Sequence, residues 1–402
     1  MNDSTPERPT EATPRHAKVA IRRPWGTLLR VIGLSMAVVL VSSVTTAAIV
    51  AWKITSAIQS VSLAGDTGTE EEIKLSGIGA MKGAFNVLVV GSDTRQGQKA
   101  AFGGSSVGSA LNDVNIIVHV SADHTRATAV SVPRDMVVPI PSCPRADGSG
   151  MNSGMAAQPM NVALSYGGLA CAVLTAEKLT GLKIKYAGLI TFQGVAMLAN
   201  AIGGVDVCVN AAVDDPYTGL HFPKKGTYNI SGFQALAFLR SRHGVGDGSD
   251  LGRISSQQVY MSSLVRKIQD EGVLLDPTKV YGLASVAANA MTLSNSLASL
   301  DTMVAMALVL KDIPRENIIF IQYPGTTGVG GVYSGKVAPL TDLANMLFDT
   351  IRHDKPFRLD KDATGVGSEI SGKASATGSG KVLHGIMGQS AAQSTCSVSY
   401  AF

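Results

Sequence analysis

The chain of 402 residues is long enough to bury a full core, with 45% hydrophobic residues, 16% charged residues and 43 glycines. Its net charge of +4 gathers at one end: residues 1–30 hold six basic and three acidic side chains, and the remainder holds 28 against 27. A nucleic-acid footprint needs a basic stripe on the main body, and none is visible in this near-neutral remainder.

Residues 1–30 are polar, basic and Pro-containing, and are expected to be disordered. Residues 31–52 follow without a charge, rich in Val, Ala, Leu and Ile. As a helix that run spans roughly 33 Å, enough for a hydrocarbon core of about 30 Å. A cleaved signal peptide has an apolar region of only about 7–15 residues, so the expectation is an uncleaved single-pass anchor in the cytoplasmic membrane. The basic flank and Trp52 at the far edge place the N-terminus in the cytoplasm and the rest outside the cell. Residues 53–83, with Gly65-Asp-Thr-Gly68 and Glu70-Glu-Glu72, read as a stalk.

The main domain is expected over 84–359. Strands are predicted at Phe85–Val90, Val114–Val120 and Arg126–Val132, the last two antiparallel across Ser121–Thr125. A Gly/Ser-rich stretch, Gln96–Ala110, reads as a flap beside the strand ends. Further along come a helix near Cys171–Leu179 ended by Gly181, a strand near Ile184–Ile190, a helix carrying Phe192, Val195, Leu198, Ala199 and Ile202, and a strand at Val205–Val209. Ser231-Gly-Phe-Gln234 is a capping-box pattern that starts a helix at Gly232, and Asp250 reads as the N-cap of another. That second helix repeats Ile254, Gln258, Met261, Val265 and Ile268 along one face. Helices within Pro277–Leu310, a buried strand at Ile318–Tyr323 and a helix at Leu340–Ile351 complete an α/β pattern, predicted to be a three-layer α/β/α sandwich around a central mixed sheet. Residues 360–402 are Gly/Ser/Ala-rich and are expected to form a flexible tail.

The charged residues cluster at the ends of the first strands: Asp93 and Arg95 after one, Asp113 before the next, Arg134 and Asp135 after the third. Carboxylates and guanidiniums at neighbouring strand ends suit a metal-assisted phosphate site. Each motif alone is an ordinary turn with a surface ion pair. Arg240 and Arg242 are two positions apart and share a site only if their helix ends between them. The four cysteines lack CxxC spacing, which argues against zinc, and an extracellular compartment permits disulfides. Cys143 and Cys171 bracket a loop and helix and are expected to bridge, whereas Cys208 is open between a free thiol and a bridge to Cys396.

The ordered set Asn86-Val-Leu-Val-Val-Gly-Ser-Asp-Thr-Arg95, Asn112-Asp113, Ser131-Val-Pro-Arg-Asp135, Met160-Asn-Val-Ala-Leu-Ser-Tyr-Gly-Gly168, Phe192-Gln-Gly-Val, Ile202-Gly-Gly-Val-Asp-Val, Gly232 to Arg242, Asp250-Leu-Gly-Arg253 and Gln257-Gln258 resembles the LytR-CpsA-Psr family of cell-envelope phosphotransferases, actinobacterial type. Two departures stand out. Ser256 occupies a place where the family often has Arg, and Lys224-Lys-Gly-Thr lies where many relatives carry a partner for Cys208.

The resemblance implies transfer of a glycopolymer from a polyprenyl-pyrophosphate carrier to a wall acceptor, typically peptidoglycan. Guanidinium forks neutralise and orient a pyrophosphate, so Arg95, Arg134, Arg240, Arg242 and Arg253, with Gln257, are the pyrophosphate-binding candidates. Asp93 and Asp113 are the expected ligands of Mg²⁺ or Mn²⁺. The catalytic candidates are Asp93, Arg134, Asp135, Arg240 and Arg242, with Asp135 either orienting an arginine or taking the acceptor hydroxyl's proton. Val195, Leu198, Ile202, Phe233, Leu236, Met261 and Val265 are either ordinary core or the lining of a lipid groove. Two rival readings stand beside it: a non-catalytic envelope regulator that binds polyprenyl phosphates, for which the Asp93, Asp113 and Arg134 set would be unnecessary, and a pyrophosphatase that uses the same site with water as acceptor.

Overall fold

The structure, a computed structural model, describes residues 25, 29–39, 41–42, 58–63, 81–93, 110–372 and 378–400. The chain divides into two units, Met1–Lys53 and Ile54–Phe402. In the first, Leu29–Val39 is an apolar helix. Most of the expected disordered segment and half of the expected anchor lie outside the described residues, as do Arg95 and most of the expected flap. Among the described residues one helix, Val162–Thr180, has the length and apolarity to cross a membrane, but half of it is buried within its own unit. It also breaks at Gly167 and Gly168, so it is a core helix.

The second unit is built on an eight-stranded mixed sheet. In chain order its strands are β1 (Gln59–Val61), β2 (Phe85–Ser92), β3 (Asn112–Val120), β4 (Ala127–Ser131), β5 (Tyr186–Thr191), β6 (Met291–Ser294), β7 (Ile318–Gln322) and β8 (Gly388–Ser390). Their spatial order is β1-β6-β5-β2-β3-β4-β7-β8. The pairs β2/β3 and β3/β4 are antiparallel, as the hairpin turn predicts, while β2/β5 and β4/β7 are parallel.

Alternation along each strand sends side chains to two faces. Leu88, Val90, Ile117, Val130, Ile319 and Ile321 pack on one face against α1 (Val162–Thr180) and a late helix at Thr341–Arg352. Phe85, Val120, Ala127, Ala129, Ile318 and Phe320 face the other way. Helices on both faces make the predicted three layers. On the second face lie α2 (Phe192–Ala201), α3 (Gly232–Arg240) and α4 (Asp250–Asp270), followed by Pro277–Ala290 and Leu300–Val309. Thr191 caps α2 by accepting from Gly194 N. Residue 194 must be Gly, because a Cβ there would stand 2.3 Å from the Ala290 carbonyl oxygen.

Four sequence expectations are corrected. The helix α4 is capped by Ser249, whose hydroxyl accepts from Gly252 N, and Asp250 is its first residue. The helix α3 begins at Gly232 as predicted, but Ser231 makes no side-chain capping bond. The segment read as stalk contributes β1, which pairs in parallel with β6, and it buries Leu63 and Met81.

The largest correction concerns residues 360–402: the described part of the expected flexible tail is folded. β8 pairs with β7 at the sheet edge, and Thr395–Ser397 pairs in parallel with Val205–Val209. That pairing brings Cys208 opposite Cys396, and the two are disulfide-bonded, as are Cys143 and Cys171. The segment docks on the polar side of α4. Gln389 Nε2 donates to Gln258 O and Ser262 Oγ, and Arg266 Nη1 donates to Ala391 O and Gln393 O. Ser256 shares a hydrogen bond with Ser397 Oγ at 2.7 Å and donates to Gly367 O. A short side chain at 256 is what lets the segment approach.

Candidate functional site

The site forms where β2, β3 and β4 end beneath α3 and the start of α4. Buried Asn112 fixes the strand ends: its amide donates to Asn115 Oδ1 and Met160 O, and its oxygen accepts from Leu164 N. Asp113 follows directly, and Arg134 stands at the end of β4. Arg134 Nη1 meets Asp113 Oδ1 at 2.5 Å.

Asp250 is the hub. One carboxylate oxygen pairs with both Arg242 Nη2 and Arg253 Nη2 at 2.6 Å, and the other accepts from Arg134 N at 3.0 Å. Arg253 is 5% exposed and Asp250 6%. Arg253 Nη2 also donates to Asp113 O. Asp135 completes the ring, 3.6 Å from Arg134 Nε, 3.5 Å from Arg242 Nη2 and 3.3 Å from Lys336 Nζ.

Desolvation makes this ring costly, and pairing is what makes it tolerable. Burial works against the Arg134 charge, yet Asp113, Asp250 and Asp135 outweigh it and raise its pKa. Burial likewise opposes ionisation of Asp135, but Arg134, Lys336 and Arg242 hold its pKa below the ordinary carboxylate range. For Arg253, burial wins and lowers the pKa despite Asp250. The Nε atoms of Arg134, Arg242 and Arg253 are buried without a hydrogen-bond partner among the described residues. Guanidiniums gathered in one place are what an anionic ligand pairs with.

Arg240 and Arg242 share the site because α3 stops at Arg240 and Ser241 turns extended (φ −60°, ψ 132°). Two groups hold that turn. Fully buried Asp215 accepts from Ser241 Oγ at 2.6 Å and Arg242 N at 3.2 Å, while Gln257 Nε2 donates to Leu239 O, a carbonyl in the last turn of α3. Burial opposes the Asp215 charge, but these bonds and those from Tyr217 N and Thr218 N lower its pKa. The Arg240 guanidinium lies 4.1 Å from the Phe192 ring centroid, a cation–π contact.

Beneath the charged ring opens a cavity of about 370 Å³ between the sheet and α2, α3 and α4. Asp113, Arg134, Arg240, Arg242, Arg253 and Gln257 line its mouth. Its interior is apolar, with Val89, Ile116 and Ile190 from the sheet facing Leu198, Leu236 and Met261 from the helices. Of the seven residues considered for a groove, Val195, Leu198, Ile202, Leu236 and Met261 line it. Phe233 is 58% exposed, and Val265 packs into the core of the second sheet face.

The structure thus gathers Asp113, Arg134, Asp135, Arg240, Arg242, Arg253 and Gln257. Asp93 does not line the cavity; its Oδ1 accepts from Leu111 N. The two expected cation ligands stand at neighbouring strand ends, Asp93 just past β2 and Asp113 in β3, where Asp113 pairs with Arg134. Among the described residues no group of three or more His, Cys, Asp or Glu is placed to hold a metal unaided. Sequence reasoning took Asp250 for a cap, although its spacing to Arg253 was a usable signal. It missed Asp215 and Lys336, which carry no local signature.

Known proteins resemble this chain in sequence and fold. The LytR_cpsA_psr family profile matches residues 48–347. The cell wall biosynthesis protein LcpA of Corynebacterium glutamicum is 28% identical over 62% of this chain and 51% of its own length. The polyisoprenyl-teichoic acid–peptidoglycan teichoic acid transferase TagT of Bacillus subtilis is 28% identical over 46% of this chain and 53% of its own. The chain therefore spans about half the length of these relatives. Among solved structures, B. subtilis TagV superposes with a TM-score of 0.52 at 21% identity, covering 68% of this chain and 99% of TagV. TagT bound to LIIa-WTA gives 0.50 at 20% identity over 73% of this chain and 98% of that one. These two likenesses establish the shared mixed α/β fold. With the profile match running through well over half of its residues, the chain belongs to the LytR_cpsA_psr family.

Proposed function

We propose that the protein transfers a glycopolymer from a polyprenyl-pyrophosphate carrier to a cell-wall acceptor, typically peptidoglycan, forming a phosphodiester bond outside the cytoplasmic membrane. The observation that carries this reading is the union of a guanidinium cluster with an apolar cavity at one mouth. A pyrophosphate joined to an isoprenoid asks for both. The names of TagT and of the wall-teichoic-acid complex support the same class of substrate.

In this reading Arg134, Arg242 and Arg253 hold the pyrophosphate oxygens and meet the charge that grows on them during displacement. Arg240, braced on Phe192, marks the passage from phosphate to lipid. Asp250 and Asp215 are positioning residues that fix the arginines. Asp135 carries a lowered pKa and three cationic neighbours, which favours a role in orienting Arg242 over that of a general base. Mg²⁺ or Mn²⁺ held by Asp93 and Asp113 would supply Lewis-acid stabilisation of the phosphate. The apolar helix Leu29–Val39 supports a membrane tether, which would hold the domain beside a membrane-borne substrate at high effective concentration.

The test is a transfer assay with the full chain in detergent, a polyprenyl-pyrophosphate sugar, Mg²⁺ and peptidoglycan oligomers, read by mass spectrometry. Sugar phosphate should appear on the glycan, and Arg134→Ala should cut the rate about 100-fold or more in protein that still shows a cooperative melting transition. Release of sugar phosphate with no attachment would replace this reading with the pyrophosphatase. Tight binding without turnover would favour the regulator.

A further inference from the structure

The two-stranded hairpin beside the site, Val213–Asp215 paired with Leu220–Phe222, carries at its tip an aromatic residue that the phosphate chemistry does not use. Tyr217 is 76% exposed. A single exposed aromatic is ordinary, but this one is held on several sides. Asp215 Oδ1 accepts from Tyr217 N at 3.0 Å and Thr218 N at 3.3 Å, fixing the turn. The other oxygen of the same carboxylate holds Ser241 and Arg242, so hairpin and guanidinium hang on one buried group. The Tyr217 ring packs on the His243 imidazole with centroids 4.5 Å apart. His243 follows Arg242 directly. Gly244 then seats the segment against the hairpin, where a Cβ would come within 2.9 Å of Val213 and 3.0 Å of Asp215.

We infer that Tyr217 and His243 form a platform for a pyranose ring, at the point where glycan leaves or meets the phosphate site. A rigid, amphipathic ring facing solvent offers contact area to the C–H face of a sugar at little entropic cost. Its polar edge can meet hydroxyls. The fixed turn means that little ordering is needed when the sugar binds. The site takes a sugar that is either the first residue of the donor polymer or part of the acceptor glycan. This inference rests on the proposed phosphotransfer, since it is that reaction which brings sugar to Arg242.

The experiment uses the full chain in detergent and three probes: farnesyl pyrophosphate, farnesyl-pyrophosphoryl-N-acetylglucosamine and chitotetraose. Affinities are measured by titration calorimetry for the natural chain, Tyr217→Ala and Tyr217→Phe. Tyr217→Ala should weaken one sugar-bearing probe about three- to tenfold, leave farnesyl pyrophosphate unchanged and keep the melting temperature. Tyr217→Phe should retain the binding. Loss on the lipid-linked sugar identifies the donor side, and loss on chitotetraose the acceptor side. Equal affinities of the natural chain and Tyr217→Ala for both sugar probes would overturn the platform. Failure of the natural chain to bind farnesyl pyrophosphate would instead overturn the phosphotransfer reading.

Discussion

The mouth of the cavity and its interior are built on opposite terms. At the mouth, Arg253 and Asp250 are nearly inaccessible to water, and the Nε atoms of three arginines there have no hydrogen-bond partner among the described residues. The interior is lined by Val89, Ile116, Leu198 and Met261, side chains that elsewhere would simply be core. A buried ion pair is weak evidence for stability, because desolvation offsets most of the attraction. An apolar wall around an open cavity likewise forgoes packing contacts that a closed core would make. Both ends therefore give up stability, each in the way that suits one half of an amphiphilic phosphate.

The comparison breaks most directly at Asp250. Asp250→Ala would leave Arg242 and Arg253 buried without their counter-charge, at a cost of about 3–5 kcal/mol. Chemical denaturation should show that loss, and ligand binding should fall with it. The interior counterpart is Leu198→Trp, which fills space that faces solvent or lipid and spares the ion pairs. It should leave unfolding nearly unchanged and weaken long-chain isoprenyl ligands by about tenfold. A similar loss for the headgroup alone would show that the two ends are not separable.

Away from the cavity, Cys396→Ser tests whether the folded C-terminal segment supports α4. Loss of that bridge should cost about 2–4 kcal/mol, read as a lower denaturation midpoint under oxidising conditions. A smaller effect concerns pH. The Asp135 pKa is lowered in the folded state, so its contribution to stability is present above its unfolded value of about 3.9 and is lost as pH falls through the depressed one. In Asp135→Asn stability at neutral pH should fall, and the acid limb of the stability curve should flatten because that contribution is no longer there to be lost.

Local pattern carried much of this arrangement. Strand alternation around Val87–Val90 and the Ser121–Thr125 turn gave the sheet's centre, and charged residues at strand ends gave the mouth. The helix break after Arg240 was a stated condition for a shared site, and the structure meets it. What escaped was non-local. The strands of the C-terminal segment are three residues long and find their partners across the chain, as Cys208 finds Cys396 at a separation of 188 residues. Gln257 read as a solvated flank or a phosphate contact, but its amide donor is committed to Leu239 O. Lys336 reaches Asp135 from a loop 201 residues away, with nothing in its neighbourhood to announce it.

The most direct measurement compares farnesol with geranyl, farnesyl and geranylgeranyl pyrophosphates as ligands of the full chain, by calorimetry, for the natural protein and Arg134→Ala. Affinity should rise with isoprenoid length, and farnesyl pyrophosphate should bind far more tightly than farnesol. Arg134→Ala should lower every pyrophosphate by the same factor while leaving farnesol unchanged. Equal binding of farnesol and farnesyl pyrophosphate, or no dependence on chain length, would contradict a cavity made for a lipid with a phosphate-binding mouth.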